Sequence, residues 1–331
     1  MWRQADEPLR PRIPGTCAHC FHLRCAPVFT IASAHQGLMA PPPNPSFATM
    51  PCAPKIPDQP TRQEAPAQYC AMVARTDVGR RRDNNEDAVT IHPSAQPWPI
   101  AVLADGMGGY NAGEVASAMA ISLVSVALQS TTTEAPVANT PQARQELQQS
   151  LANALNLANA AILTAAQETP GCRGMGTTVI AAALLPGLLM LAHLGDSRAY
   201  GWRDGQLLRL TRDHTWLQEE IDAGRIQDHE ARQSGLGHLL TQALGVTQDV
   251  TPDFNEWPLQ PGDRILLCSD GLTDMLDDDA IAALFKQSSP LPVLLTSLLT
   301  AANEAGGNDN ISAALIELQA NPPSTACAAI D

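Results

Sequence analysis

Thr177-Thr-Val-Ile-Ala-Ala-Ala-Leu-Leu185, then Pro186-Gly187, then Leu188-Leu-Met-Leu-Ala-His-Leu194: two apolar runs of strand length stand on either side of a turn pair. Runs this short, bounded by Pro-Gly, predict an antiparallel hairpin over 177–185 and 188–194. A second hairpin is predicted at once, with strands at 198–203 and 207–210 joined by Asp204-Gly205. Upstream, the apolar run 98–104 stops at Asp105-Gly106 and reads as a strand entering a loop. Two helices follow it, at 114–129 and from Pro141, in the first turn, to about 168. Leu147, Leu151, Leu155 and Ile162 share one face of the second helix. Downstream come a helix at 214–223, a strand at 263–269 ending at Asp270-Gly271, helices around 277–287 and 290–304, and a last strand at 310–318. Hairpins alternating with helix pairs predict an α/β (α+β) protein built on antiparallel sheets.

The 331 residues are 44% hydrophobic and 16% charged, enough apolar material for a sizeable core. Aromatics are 4%, so that core must be mostly Ala, Leu, Ile and Val. The net charge of −14 excludes a nucleic-acid binder, which needs a basic surface, and it suits bound cations. No apolar run approaches the roughly 20 residues that span a bilayer, so no membrane insertion is expected.

Charge and proline divide the chain near residue 68. Residues 1–68 carry six Arg/Lys against four Asp/Glu and 13 of the 27 prolines; residues 69–331 carry 14 Arg/Lys against 30 Asp/Glu. The first segment is read as a disordered leader without the apolar region of a secretory signal, 69–320 as the folded domain, and 321–331 as a flexible tail. Cys17, Cys20 and Cys25, interleaved with His19 and His22, have zinc-ligand types at a C-x2-C spacing. No second ligand pair follows at a familiar spacing, so a disordered or adventitiously metal-binding leader is favoured over a structural zinc site. Translation from Met39, Met50 or Met72 is the alternative reading. Cys70, Cys172, Cys268 and Cys327 are scattered and suggest no oxidising compartment, and the cytoplasm is the expected location.

Carboxylates stand at the ends of the candidate strands. Asp105 follows Ala104, Asp270 follows Cys268-Ser269, Asp309 precedes Ile311, and Glu86-Asp87 precede Ala88-Val-Thr-Ile91. Adjacent strands can bring such acids to one rim of a sheet, where their mutual repulsion calls for cations of the Mg2+ or Mn2+ type. A single Asp-Gly is more often a turn than a ligand. Here, however, Asp105-Gly-Met-Gly-Gly-Tyr-Asn-Ala-Gly113 and Gly306-Gly-Asn-Asp309-Asn310 set several glycines beside an acid, permitting close backbone approach to an ion.

Six stretches in order resemble the metal-dependent protein Ser/Thr phosphatases of the PPM class, type 2C, in their bacterial form. They are Thr76–Asp87, Ala104-Asp105-Gly106-Met-Gly-Gly109, Gly174–Thr178, Gly195-Asp196-Ser-Arg198, Cys268-Ser-Asp270-Gly-Leu-Thr-Asp274 and Asn308-Asp309-Asn310. The resemblance, over about 70–318, implies a four-layer αββα sandwich of two antiparallel sheets flanked by helix pairs. It implies a first metal on Asp105, Asp270 and Asp309, and a second on Glu86, Asp105 and the Gly106 carbonyl, with Asp105 bridging. Asp87 would support this cluster, and Asp196 with Asp270 would hold a third, weaker ion. Arg82 would bind the substrate phosphate, bidentately as guanidinium can, while Arg80 and Arg81 stay solvated. Two Mn2+ or Mg2+ ions would bridge and acidify the water that attacks phosphorus.

Met107 stands where eukaryotic members have a His, and Tyr110 where many bacterial ones do. His92 is a candidate proton donor to the leaving group, or else a structural or exposed residue, and His193 reads as a core residue. His214 resembles the start of a flap, about 213–245, expected to tune substrate choice. The implied activity is hydrolysis of phosphoserine and phosphothreonine in phosphorylated protein substrates, reversing a cognate eukaryotic-like Ser/Thr kinase. The motif wording is similar to the phosphatases of type VI secretion loci. The alternatives are a phosphatase of an anti-sigma-factor antagonist and a non-catalytic phosphoprotein-binding scaffold on the same fold.

Overall fold

The computed structural model describes residues 69–94, 98–108, 112–130, 139–227 and 239–319. The readings made of the cysteine-rich leader, of Tyr110, of part of the flap and of the tail lie outside the described residues. In chain order the first elements are β1 (Tyr69–Asp77), β2 (Asp87–His92), β3 (Ile100–Met107), α1 (Ala112–Gln129), α2 (Pro141–Glu168), β4 (Gly176–Thr177), β5 (Val179–Leu185) and β6 (Leu188–Leu194). Then come β7 (Arg198–Arg203), β8 (Gln206–Arg209), α3 (Trp216–Asp222), β9 (Asp253–Pro258) and β10 (Arg264–Cys268). α4 (Asp270–Thr273), α5 (Asp278–Phe285), α6 (Leu291–Glu304) and β11 (Ile311–Gln319) complete the order.

The quoted hairpin is β5–β6, with Leu185 paired to Leu188 and Gly187 at φ 73° in its turn. Asp204 and Gly205 both take positive φ, the conformation a two-residue hairpin loop demands, and close β7 onto β8. One sheet runs β1-β11-β10-β7-β8 and the other β2-β3-β5-β6-β9, with β4 beside β3. The strand pairs of the described residues are antiparallel.

Alternation along β5 shows the layering. Ala181 and Ala183 pack with α1 and α2 through Ala116, Ala120, Leu147 and Leu151, while Ile180 and Ala182 point to the other sheet and meet Ile265 and Ile316. α5 and α6 cover the far face of that second sheet through Ile281, Phe285, Leu294 and Leu298. The result is the αββα sandwich, with three apolar layers. Alanine, where bulkier residues would otherwise stand, lets the helices sit close to the sheet. α2 starts where its sequence says it should: Thr140 caps it by accepting the N–H of Ala143, and Pro141 occupies the first turn. α1 has 18 residues and a mean hydropathy of 1.4, enough by length and composition to cross a bilayer. Its buried stripe of Ala112, Ala116, Ala120 and Val124 is nonetheless used up in the core.

Two strands go beyond the sequence reading. β1 and β9 are sheet edges with half-exposed, mixed residues, and β9 ends at Pro258, which an edge tolerates. α4 begins at Asp270, where Asp-Gly reads as a turn.

Candidate metal and phosphate site

The two sheets converge where β2 and β3 face the ends of β10 and β11. Glu86 and Asp87 lie at the start of β2, and Asp87 stands directly opposite Asp105 in the β2–β3 ladder. The observed β3 runs on to Met107, so Asp105 lies inside the strand rather than at its end. Its backbone is held from both sides: the Asp105 N–H donates to Thr178 Oγ1 (3.0 Å), and its carbonyl accepts from Thr177 Oγ1 and the Thr178 N–H (both 2.8 Å). Thr178 Oγ1 in turn lies 2.8 Å from Ser197 Oγ, beside Asp196.

From the other sheet, Ser269 Oγ donates to Asp87 Oδ2 (2.8 Å) and accepts the Ser312 N–H (3.0 Å). Asn310 works as a clasp. Its Oδ1 accepts the Glu86 N–H (2.8 Å) and its Nδ2 donates to the carbonyls of Val78 and Asn84 (2.9 Å each). The loop carrying Arg82 and Glu86 is thereby tied to the turn carrying Asp309. Arg82 Nη2 reaches Asp309 Oδ2 at 2.7 Å, on the exposed side of the cluster. Arg80 and Arg81 are exposed, as expected.

Gly106 has no room for a side chain. A Cβ there would lie 2.1 Å from the Gly113 carbonyl oxygen and 2.6 Å from that of Glu86. Gly113, in the first turn of α1, offers its N–H to the Glu86 carboxylate, as a helix start favours an anion. The glycines of the Asp105–Gly113 loop thus let α1, β3 and the Glu86 segment approach within backbone contact.

Burial, and after it the crowding of acids, sets the electrostatics. Burial, then the charges of Asp87, Asp270 and Asp196, hold the Asp105 carboxyl well above the ordinary range, and Asp270 hydrogen-bonds it. Burial pushes Asp87 up to about 7 against the opposing bonds from Ser312 and Ser269. Burial and Asp270 push Asp196 to about 8. Glu86 is raised by burial, with Arg82 opposing. Buried carboxylates that mutually resist ionisation are a donor set for hard divalent ions, whose charge removes the resistance.

The structure brings Arg82, Glu86, Asp87, Asp105, Gly106, Asp196, Asp270 and Asp309 to this one region. It does not bring His92 there. His92 pairs with Ile100 at the opposite end of the β2–β3 ladder from Asp87 and Asp105. Five strand steps, roughly 17 Å, separate it from Asp87, and it cannot serve the leaving group. His193 is the core residue its apolar strand suggested, 1% exposed. Sequence reasoning missed the hydroxyls and Asn310. The available signal was a lone polar residue beside or inside a fully apolar run, as at Ser269 and Ser312.

An oxygen-only cluster at the junction of two antiparallel sheets, with an arginine on its open side, defines a metal-dependent hydrolase of anionic substrates. The chain belongs to the protein phosphatase 2C family, whose model matches residues 78–315. The serine/threonine phosphatase stp of Listeria monocytogenes is 36% identical over 243 residues, covering 73% of this chain and 94% of that protein. The Streptococcus agalactiae serine/threonine phosphatase structure is 32% identical with a TM-score of 0.70, covering 76% of this chain and 100% of that one. The PstP catalytic domain in complex with two manganese ions is 33% identical with a TM-score of 0.66, over 76% of this chain and 100% of that one. PppA, a key regulatory component of T6SS in Pseudomonas aeruginosa, is 28% identical with a TM-score of 0.62, over 76% and 98%. The protein is accordingly a metal-dependent protein serine/threonine phosphatase that uses Mn2+ or Mg2+ and acts on phosphoproteins.

Proposed function

We propose that Asp105, Asp270 and Asp309 hold one divalent cation, and that Glu86, Asp105 and the Gly106 carbonyl hold a second, with Asp105 shared. Asp196 and Asp270 then hold a weaker third. The observation that carries this reading is the hydrogen bond between Asp105 and Asp270, flanked by Asp87 and Asp196, with the Asp105 carboxyl raised by burial and then by the charges of these neighbours. When bound, Mn2+ or Mg2+ supplies Lewis acidity and makes water acidic enough to attack phosphorus near neutral pH.

The chain's own residues do the rest. Asp105, fixed by Thr177 and Thr178, cannot drift when charge develops beside it. Asp87 keeps its carboxylate on Ser269 and steadies the segment that carries Glu86. Arg82 exchanges Asp309 for two phosphate oxygens and neutralises them in the transition state. Hydrolysis of a phosphothreonine peptide with Mn2+, compared with EDTA and with Asp270→Asn, tests the assignment. Retained turnover in the Asn variant would overturn it.

The partner is read as a cognate eukaryotic-like Ser/Thr kinase, in the control of type VI secretion, within the cytoplasm. The likeness to PppA supports the pathway, and the free thiols of Cys70, Cys172 and Cys268 support a reducing compartment. The check is loss of phosphate from the autophosphorylated kinase of the same genome; a kinase left fully phosphorylated would argue for another client.

A further inference from the structure

The turn that carries Asp196 is gripped by a histidine from the base of the flap. The His214 N–H donates to the Gly195 carbonyl (2.9 Å), and the Gly195 N–H donates back to His214 Nδ1 (3.2 Å). On its other side Gly195, at φ +107°, presses on Thr178, whose Cβ would stand 2.6 Å from any Cβ added there. His214 is 2% exposed, and its ring stacks on His193 at 4.6 Å between centroids and 17° between planes. His193 Nε2 donates to the Arg212 carbonyl (2.8 Å), which fixes that ring in turn. His214 Nε2 faces Asp253 Oδ2 at 3.1 Å, on a carboxylate 48% exposed at the start of β9.

His193, His214 and Asp253 offer three ligand atoms within 4.8 Å of one another. The tautomer argues against an ion there. Because His214 Nδ1 accepts a hydrogen bond, its proton sits on Nε2, the atom an ion would need. Nε2 makes no hydrogen bond of its own, but the Asp253 carboxylate 3.1 Å away favours a proton on that nitrogen by its charge and so leaves the Nδ1 lone pair to Gly195.

We propose that His214, through its two hydrogen bonds with Gly195, is the positioning residue for the Asp196 carboxylate, so that the base of the flap sets the affinity of the third, weaker metal. This rests on the assignment of Asp196 to that ion. Removing the outer partner of a ligand typically costs about 10-fold to 100-fold in metal affinity. The effect should fall on the weak ion alone, because Glu86, Asp105 and Asp309 have their own supports in Gly113, Thr178 and Asn310.

The test is Mn2+ titration of the whole chain, read by the electron paramagnetic resonance of free Mn2+, which counts bound ions without turnover. His214→Ala should weaken the last-filling ion by about tenfold or more and leave the two tight ions within about twofold. His214→Asn, whose Oδ1 can take the place of Nδ1, should restore it to within about threefold, whereas His214→Gln should not. Asp253→Ala, at an exposed position that leaves the fold intact, should weaken the same ion by a smaller factor. Asp196→Asn separates the two readings. If it leaves all binding unchanged, the third-ion assignment falls and the clamp with it. If it removes the weak ion while His214→Ala and Asp253→Ala do not, the clamp alone is wrong. Simultaneous loss of all ions in a folded His214→Ala also overturns it.

Discussion

Asp87 and Asp105 sit directly opposite each other in the β2–β3 ladder, both on the face turned toward the second sheet. Like charges at such a pair oppose folding, and here Asp87 is buried and Asp105 largely shielded from water as well. Asp87 is pushed to about 7, Asp196 to about 8, and Asp105 well up. A carboxyl whose pKa is raised by folding contributes its stability below the unfolded value of about 3.9 and loses it as pH rises through the folded value. The metal-free protein should therefore lose thermal stability between about pH 5 and pH 8.5, and Mn2+ should restore it most at the upper end. Buried His193 acts in the opposite sense. Its pKa is lowered by burial, so its contribution is present above about 6.5 and fades as pH falls below it. Melting curves in EDTA across this range settle the matter; a metal-free melting temperature that rises toward pH 8.5 contradicts the crowding.

Asp270→Asn should abolish turnover and yet stabilise the metal-free protein. The substitution removes one charge from beside Asp87, Asp105 and Asp196 while keeping the shape, and a gain of about 1–2 kcal/mol is expected from relieved repulsion and desolvation. Urea unfolding in EDTA measures it. A variant less stable than the parent would mean that Asp270 serves the fold more than the site.

Arg82→Ala should leave stability within about 0.5 kcal/mol, because its pair with Asp309 is exposed. Its loss should instead appear in kcat/KM, about 100-fold for the bidentate, charge-assisted grip on phosphate. Steady-state kinetics on a phosphothreonine peptide distinguish the two. A large stability loss with normal kinetics would make Arg82 a structural residue.

Gly106→Ala should cost about 3 kcal/mol, since its methyl would stand 2.1 Å from the Gly113 carbonyl oxygen and the first turn of α1 would have to retreat. That retreat takes the Gly113 N–H away from Glu86, so Mn2+ affinity should fall together with stability. Unchanged calorimetric Mn2+ binding would show that the close approach does not matter to the site.

How far the residues speak for themselves depends on burial. The β5–β6 hairpin was legible because both of its faces are buried and its turn demands Pro-Gly. β9 was not, since an edge strand that mixes Asn255, Glu256 and Trp257 has neither alternation nor an apolar run to show. The acids of the site stood out through position, each bordering an apolar run beside glycine. Their supports did not, because a serine carries no mark of its partner: Ser269 meets Asp87 from 182 residues away. Of the two readings of His92, the proton donor fails for the converse reason. Closeness to Glu86 along the chain is distance when the intervening residues are a strand.

β11 pairs with β1 over its whole length, from Tyr69 opposite Gln319 to Asp77 opposite Ile311, and pairs with β10 on its other side. Among the described strands, a ribosome makes that interior one last. Until it emerges, β1 and β10 have a gap between them, Asn310 cannot clasp Glu86, and Asp309 has no anchored turn to stand on. Before that strand is made, the chain carries its acidic cluster as an open and repulsive edge, and the capacity to remove phosphate arrives in one step when β11 docks. A chain stopped just before Ile311 would hold every acid of the site and yet be silent.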